Sequence, residues 1–201
     1  MQKPLIALSL AALVTLAGCA AQPTAPASTA PAAPAASAPA AGAQSDVLAT
    51  VGLAGLTGRQ IVDKLDQDPA ARPLKMKASV RPDHVVIGSE AGEVNVPIEG
   101  ENSFYLSIAP YATQTHECHF HSLASCRGEM KSAPVHVKIV DSAGKVLVDE
   151  DVTTYANGFV GFWLPKGIKG TVTATADGKT GSVPFATGPE DATCLTTLQV
   201  S

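Results

Sequence analysis

The sequence predicts a mostly-β protein of the α+β class, with a short N-terminal helix and strands followed by a small antiparallel β-sandwich-like C-terminal domain. Three observations predict it. After residue 45 only one stretch, residues 57–69, carries apolar residues at helical spacing. From residue 74 onward the chain breaks into short β-type runs separated by turn residues. Two of these runs are joined at Asp177-Gly178, a type I′ hairpin signal.

Thr57 is the expected N-cap of the helix, Ile61, Val62 and Leu65 its apolar side, and Pro69 its stop. The strands that follow are expected at 74–80 (LKMKASV), 84–89 (HVVIGS), 93–98 (EVNVPI) and 103–110 (SFYLSIAP). Further on, VHVKIV (135–140) and KVLVDED (145–151) flank the turn DSAGK. NGFVGFWLP (157–165) follows an Asn-Gly turn signal, and TVTATA (171–176) and KTGSVPF (179–185) form the hairpin. Along 135–140 the side chains alternate, so Val135, Val137 and Ile139 share one face while His136 and Lys138 share the other. Trp163, the only tryptophan, is read as part of a core strand.

The N-terminus belongs to targeting rather than to the fold. Residues 1–18 carry one early charge, Lys3, and then an apolar run that closes on small residues, the pattern of a secretory signal peptide too short to span a bilayer. The run ends in Leu16-Ala17-Gly18-Cys19, which resembles a lipobox and makes Cys19 the expected lipidation site. Residues 20–45 are nearly all Ala, Pro, Ser and Thr, with no charge or aromatic group. Such a segment has nothing to bury and is expected to act as a disordered tether. In extended form its 26 residues would reach up to about 80 Å. The expected organisation is therefore signal peptide 1–18, lipidated Cys19 and tether 19–45, an N-terminal subdomain 46–110, and a C-terminal β domain 111–201.

Removing Lys3 with the signal leaves 13 of the 14 basic residues against 18 acidic ones. A net negative chain without a basic cluster argues against nucleic acid or anionic lipid as a partner.

The chemistry concentrates in THECHFHSLASC, residues 115–126, which holds three of the five histidines and two of the four cysteines. A helix from Cys118 to Cys126 would separate them by about 12 Å along its axis, and a strand by about 26 Å. A disulfide needs Cα atoms within about 7 Å. A shared metal needs sulfurs roughly 4 Å apart. If the two cysteines meet, the segment between them must turn back as an irregular loop. His116 shares a face with Cys118 in an extended segment, and His121 sits beside Cys118 in a helical turn, so both are candidates to assist a metal. His119, His136 and His84 are read as solvated. Glu129 is read as a partner for a histidine or Arg127, or as solvated.

With Cys194 the mature domain has three cysteines, an odd number. One structural disulfide plus a buried thiol is one reading, and a metal is the other. Soft thiolates select Cu(I), Zn or iron–sulfur clusters. The close cysteine pairs of structural zinc are missing, and so is a fourth cysteine for a cluster, which favours copper. G-x-S-x-G, H-E-x-x-H and phosphate-cradling glycine loops are also missing.

In that order, THECHFHSLASCRGEM (115–130), NGFVGFWLP (157–165) and TCLTTLQV (193–200) resemble the CueP family of periplasmic copper-binding proteins. The resemblance covers about residues 105–201. It implies that Cys118, Cys126 and Cys194 together bind copper, and the loop spacing adds His116 or His121 as the expected assisting ligand. The resemblance also implies copper resistance or homeostasis as the role and a homodimer formed through the N-terminal region. The chain is expected not to be an enzyme, with reduction of Cu(II) by the thiols, an activity linked to the family, as the alternative. A thioredoxin-like reductant and an acceptor such as superoxide dismutase are implied partners. The rival readings are a thiol-dependent Cu(II) reductase or disulfide-exchange protein, and a disulfide-containing lipoprotein without metal. Ala20 after Cys19 favours anchoring to the outer membrane, by resemblance to lipoprotein sorting.

Overall fold

The computed structural model describes residues 41–100 and 103–201. The expected signal peptide, the lipidation site Cys19 and the tether up to residue 40 lie outside the described residues. Among the described residues are two helices and ten strands, and the strands form three sheets.

Helix α1 (Ala41–Thr50) begins within the stretch read as tether and buries Val47 and Leu48 against the first sheet. Proline frequency falls away after Pro39, so the alanines there are free to be helical. Helix α2 (Gly58–Asp66) has the expected start: the Thr57 hydroxyl accepts from the Gln60 N–H, and the Gln60 side chain accepts from the Thr57 N–H, a complete capping box. Its end comes before Pro69, where the buried Arg72 guanidinium donates to the carbonyls of Leu65, Asp68 and Ala70. Ile61, Val62 and Leu65 face the core as expected, and so does Asp66, at the same helical face one turn beyond Val62.

The first sheet is an antiparallel meander of β1 (Lys77–Val80), β2 (His84–Ser89) and β3 (Gly92–Pro97). Its Ala78, Val80, Val85, Ile87, Val94 and Val96 pack under both helices. The second sheet has the order β10 (Cys194–Leu195), β4 (Phe104–Ile108), β7 (Val160–Leu164). The third has the order β6 (Val146–Thr153), β5 (Pro134–Asp141), β8 (Lys169–Ala176), β9 (Lys179–Ala186). These two sheets face each other through Phe104, Leu106, Ile108, Val137, Ile139, Phe162 and Val172, which makes the expected small sandwich. Asp177 and Gly178 both have positive φ, as a type I′ turn requires.

Strand β4 precedes the boundary expected at residue 110, yet it pairs antiparallel with β7 and parallel with β10. Alternation explains its double membership. Phe104, Leu106 and Ile108 enter the sandwich core, while Tyr105 and Ser107 point the other way, towards α2. Trp163 is half-buried rather than a full core residue. Its indole N–H donates to Asp63 of α2 at 2.8 Å, and Arg59 lies over its ring.

Between β4 and β5 the chain is irregular, as the Cys118–Cys126 geometry demanded. The loop is pinned from several sides. Val80 N–H donates to the His121 carbonyl and Leu74 N–H to that of Ala124, each at 2.8 Å, and Cys194 N–H donates to that of His119 at 3.1 Å. The Thr193 hydroxyl accepts from the His121 N–H and donates to the Val80 carbonyl. The loop is thus held between the first sheet and the C-terminal segment.

Candidate metal centre

Within this loop, residues 122–126 form one tight turn, with the Cys126 N–H donating to the Ser122 carbonyl at 3.1 Å. That turn reverses the chain and brings the Cys126 Sγ to 3.6 Å from the Cys118 Sγ. All three cysteines of the β domain are free thiols; Cys126 and Cys194 are buried and Cys118 half-buried. Cys194 arrives on β10, which pairs with β4 through Cys194–Ser107 and Leu195–Ile108. Its Sγ lies 3.7 Å from Nδ1 of His121.

Two overlapping sets of donor atoms result. His121, Cys126 and Cys194 form a fully buried set, and His116, Cys118 and Cys126 form a second, more exposed one; within each, all donor atoms lie within 4.8 Å of one another. Sulfurs around one metal stand roughly 4 Å apart, so either set is compact enough to hold an ion. Both histidines selected from the sequence are therefore at the cluster, in different sets. The other three are elsewhere: exposed His119 contacts the Glu190 carbonyl, His84 contacts Asp83, and His136 sits between Asp149 and Asp151 on the outer face of the third sheet.

Sequence reasoning missed the partner that orients His121. The imidazole Nε2–H donates to Oδ1 of Asp66 at 2.9 Å, with both side chains fully buried. Asp66 also accepts from the Tyr105 hydroxyl at 2.7 Å, the Ser107 hydroxyl at 3.2 Å and the Asn157 amide at 2.7 Å. A signal for it existed: an acid placed on the apolar face of α2 must meet compensating donors. With Nε2 fixed by the carboxylate, Nδ1 is turned to the thiols. A neutral His121 presents a lone pair there, and a charged one presents an N–H.

The charges follow from this geometry. Burial opposes ionisation of Asp66, but His121 and the hydrogen bonds from Tyr105 and Asn157 outweigh it and hold the carboxyl below its ordinary range. Burial likewise opposes a charged His121, and the Asp66 carboxylate overcomes it, raising its pKa well above the usual value. The Cys126 thiol is lowered by its Cys118 and Cys194 neighbours, with help from His121 and against burial. Cys194 is raised by the same two sulfurs and by burial, so the cluster sheds a first proton readily and holds a later one. Phe159, fully buried, packs its ring against His121 and edge-on to His116, and supplies the apolar wall between them.

Glu129 holds neither a histidine nor Arg127. Its carboxylate accepts from the backbone N–H groups of Ala112, Thr113 and Gln114 and from the Thr113 hydroxyl, which lowers its pKa to about 2. It therefore ties down the chain that leads into His116. Glycines complete the support. Gly128 and Gly158 lie so close that a Cβ on either would fall within 2.6 Å of the other's backbone. A Cβ on Gly161 would come within 1.8 Å of the Tyr105 hydroxyl that serves Asp66.

No protein in a search of curated proteins matches this chain. Among solved structures, the crystal structure of S.CueP is 42% identical, with a TM-score of 0.75; the match covers 79% of this chain and 97% of that one. The family model described as periplasmic copper-binding protein CueP matches residues 60–199, a span that contains most of α2, all ten described strands and all the cysteines and histidines of the cluster. With this match across most of its length, the chain belongs to the CueP family of periplasmic copper-binding proteins.

Proposed function

We propose that this protein binds copper as Cu(I) through Cys118, Cys126 and Cys194, assisted by a histidine of the cluster, and buffers it or passes it to other periplasmic proteins. The observation that carries this reading is the convergence of three free thiols from two distant chain segments, with a buried, oriented imidazole beside them. Soft sulfur donors favour Cu(I), which accepts low coordination numbers. Binding displaces thiol protons, so affinity falls as pH drops. Lipid anchoring at Cys19 belongs to the same proposal and rests on the Leu16-Ala17-Gly18-Cys19 sequence alone. A long tether would keep the copper domain mobile near the membrane, within reach of acceptors.

The test is a competitive Cu(I) titration of the reduced protein beside single Cys→Ser variants at 118, 126 and 194. One tightly held copper, weakened by each substitution, supports the reading. A reduced protein that takes up no Cu(I), or a Cys194→Ser variant indistinguishable from the parent, overturns it.

A further inference from the structure

The two donor sets differ in who can reach them. A surface basin of about 720 Å³ is walled by His116, Glu117, Cys118, Cys126 and Arg127 among others, and neither His121 nor Cys194 contributes to its wall. His116 is exposed, Cys118 half-buried and Cys126 almost closed off, a gradient that leads inward. Beyond it, His121 and Cys194 are closed to solvent, with the Phe159 ring packed on His121. Cys126 is common to both sets. An ion arriving from the basin meets the outer set first, and Cys126 joins that set to the inner one.

Resting on the copper-binding reading above, we propose that the centre is a two-station relay: copper loads and unloads at His116, Cys118 and Cys126, and is stored when Cys194, beside His121, takes the place of His116, with Cys118 and Cys126 bound throughout. The step between stations is a ligand exchange without change of oxidation state. The bond from copper to the His116 imidazole breaks as the bond to the Cys194 sulfur forms, while the bonds to Cys118 and Cys126 persist. The Cys194 thiol proton passes out between Cys118 and Cys126 to water in the basin that both line. Sharing a sulfur keeps copper bound during the step, so no free ion is released. An exposed imidazole suits the outer position because it accepts the ion from a partner's sulfur and gives it up more readily than a third thiolate would. His116 is then a loading residue, where the sequence offered it as an equal alternative to His121.

The relay is read by combining His116→Ala with Cys194→Ser in the reduced full-length protein and measuring Cu(I) affinity by competition with bathocuproine disulfonate. In the parent background His116→Ala weakens affinity far less than it does once Cys194 is replaced, because the stored ion is held by the three sulfurs. In the Cys194→Ser background copper rests at the outer station, so His116→Ala weakens binding at least about tenfold. In the parent background His116→Ala also slows transfer to the chelator roughly tenfold, equivalent to about 1.4 kcal/mol on the barrier. His119→Ala, an exposed histidine on the same loop that faces Glu190, changes neither. Equal loss of affinity in both backgrounds makes His116 a resident ligand and overturns the relay, as does no loss in either. A parent protein that binds no Cu(I) overturns instead the copper reading on which the relay rests.

Discussion

At the scale of single residues, the buried Asp66–His121 pair decides how the thiols are served. Truncating Asp66 would leave three donors and a buried imidazole without their acceptor. Asp66→Ala is expected to cost about 3–5 kcal/mol in urea unfolding. The pair also sets a pH profile for the metal-free protein. Asp66 is lowered from an ordinary value of 3.8, so its stabilisation is present above that value and is lost as pH falls through the folded pKa. His121 is raised from 6.5, so its stabilisation is full below 6.5 and is lost as pH rises through the folded pKa. Stability contributed by this pair therefore peaks between about pH 4 and pH 6.5. Asp66→Asn, which keeps the volume but removes the charge, should flatten the alkaline side of the urea-midpoint profile. A parent and variant with parallel profiles from pH 6 to 9 would remove the ion pair from the account.

Elements matter here because they aim side chains in two directions at once. The period of β4 sends Phe104, Leu106 and Ile108 into the sandwich and Tyr105 and Ser107 to Asp66, so one strand both builds the core and equips the site. Its partner β7 makes room for this by carrying Gly161 opposite Ser107, beside the Tyr105 ring. Gly161→Ala forces a methyl group into the Tyr105 hydroxyl, and is expected to cost about 1–3 kcal/mol as overpacking. A urea midpoint equal to that of the parent would show that Tyr105 can step aside freely. Helix α2 depends on its start in the same way. Thr57→Ala removes half of the capping box and should cost about 1 kcal/mol by the same measurement.

At the scale of the whole molecule, the site joins segments that are far apart in sequence: Asp66 on α2, Cys118 to Cys126 in the loop, Asn157 at the turn before β7, and Cys194 on β10. An ion held by the loop and β10 together binds the folded chain and not the unfolded one. Cu(I) at a hundredfold excess over its Kd should therefore add about 2.7 kcal/mol of stability. For a chain of this length that raises the calorimetric Tm by roughly 5–10 °C, and a strong Cu(I) chelator should reverse the shift. Oxidising Cys118 and Cys126 to a disulfide, from the 3.6 Å at which they already stand, should abolish the copper-dependent part. An unchanged Tm on copper addition to the reduced protein would mean that the ion does not link these segments.

Local sequence was enough to set the class of fold, the start of α2, the hairpin at Asp177-Gly178, and the reversal of the loop required if Cys118 and Cys126 meet. All of these are local: capping chemistry, turn residues, period-two alternation and the reach of a short chain are written within a few neighbouring positions. Helix α1 was hidden because its alanines and glycine carry almost no amphipathic signal, and β10 because two residues are too few to show a period. From spacing alone, nothing could bring Cys194 to a loop some seventy residues earlier; only the family resemblance did, and the parallel pairing of β10 with β4 is its physical basis. Tertiary structure alone decided that His116 and His121 belong to different sets and that Glu129 serves backbone rather than a histidine. It also decided that Asp66 turns His121 towards the thiols. Each of these depends on which groups long-range packing buries together, and a buried charge selects its partners from whatever chain segments arrive beside it.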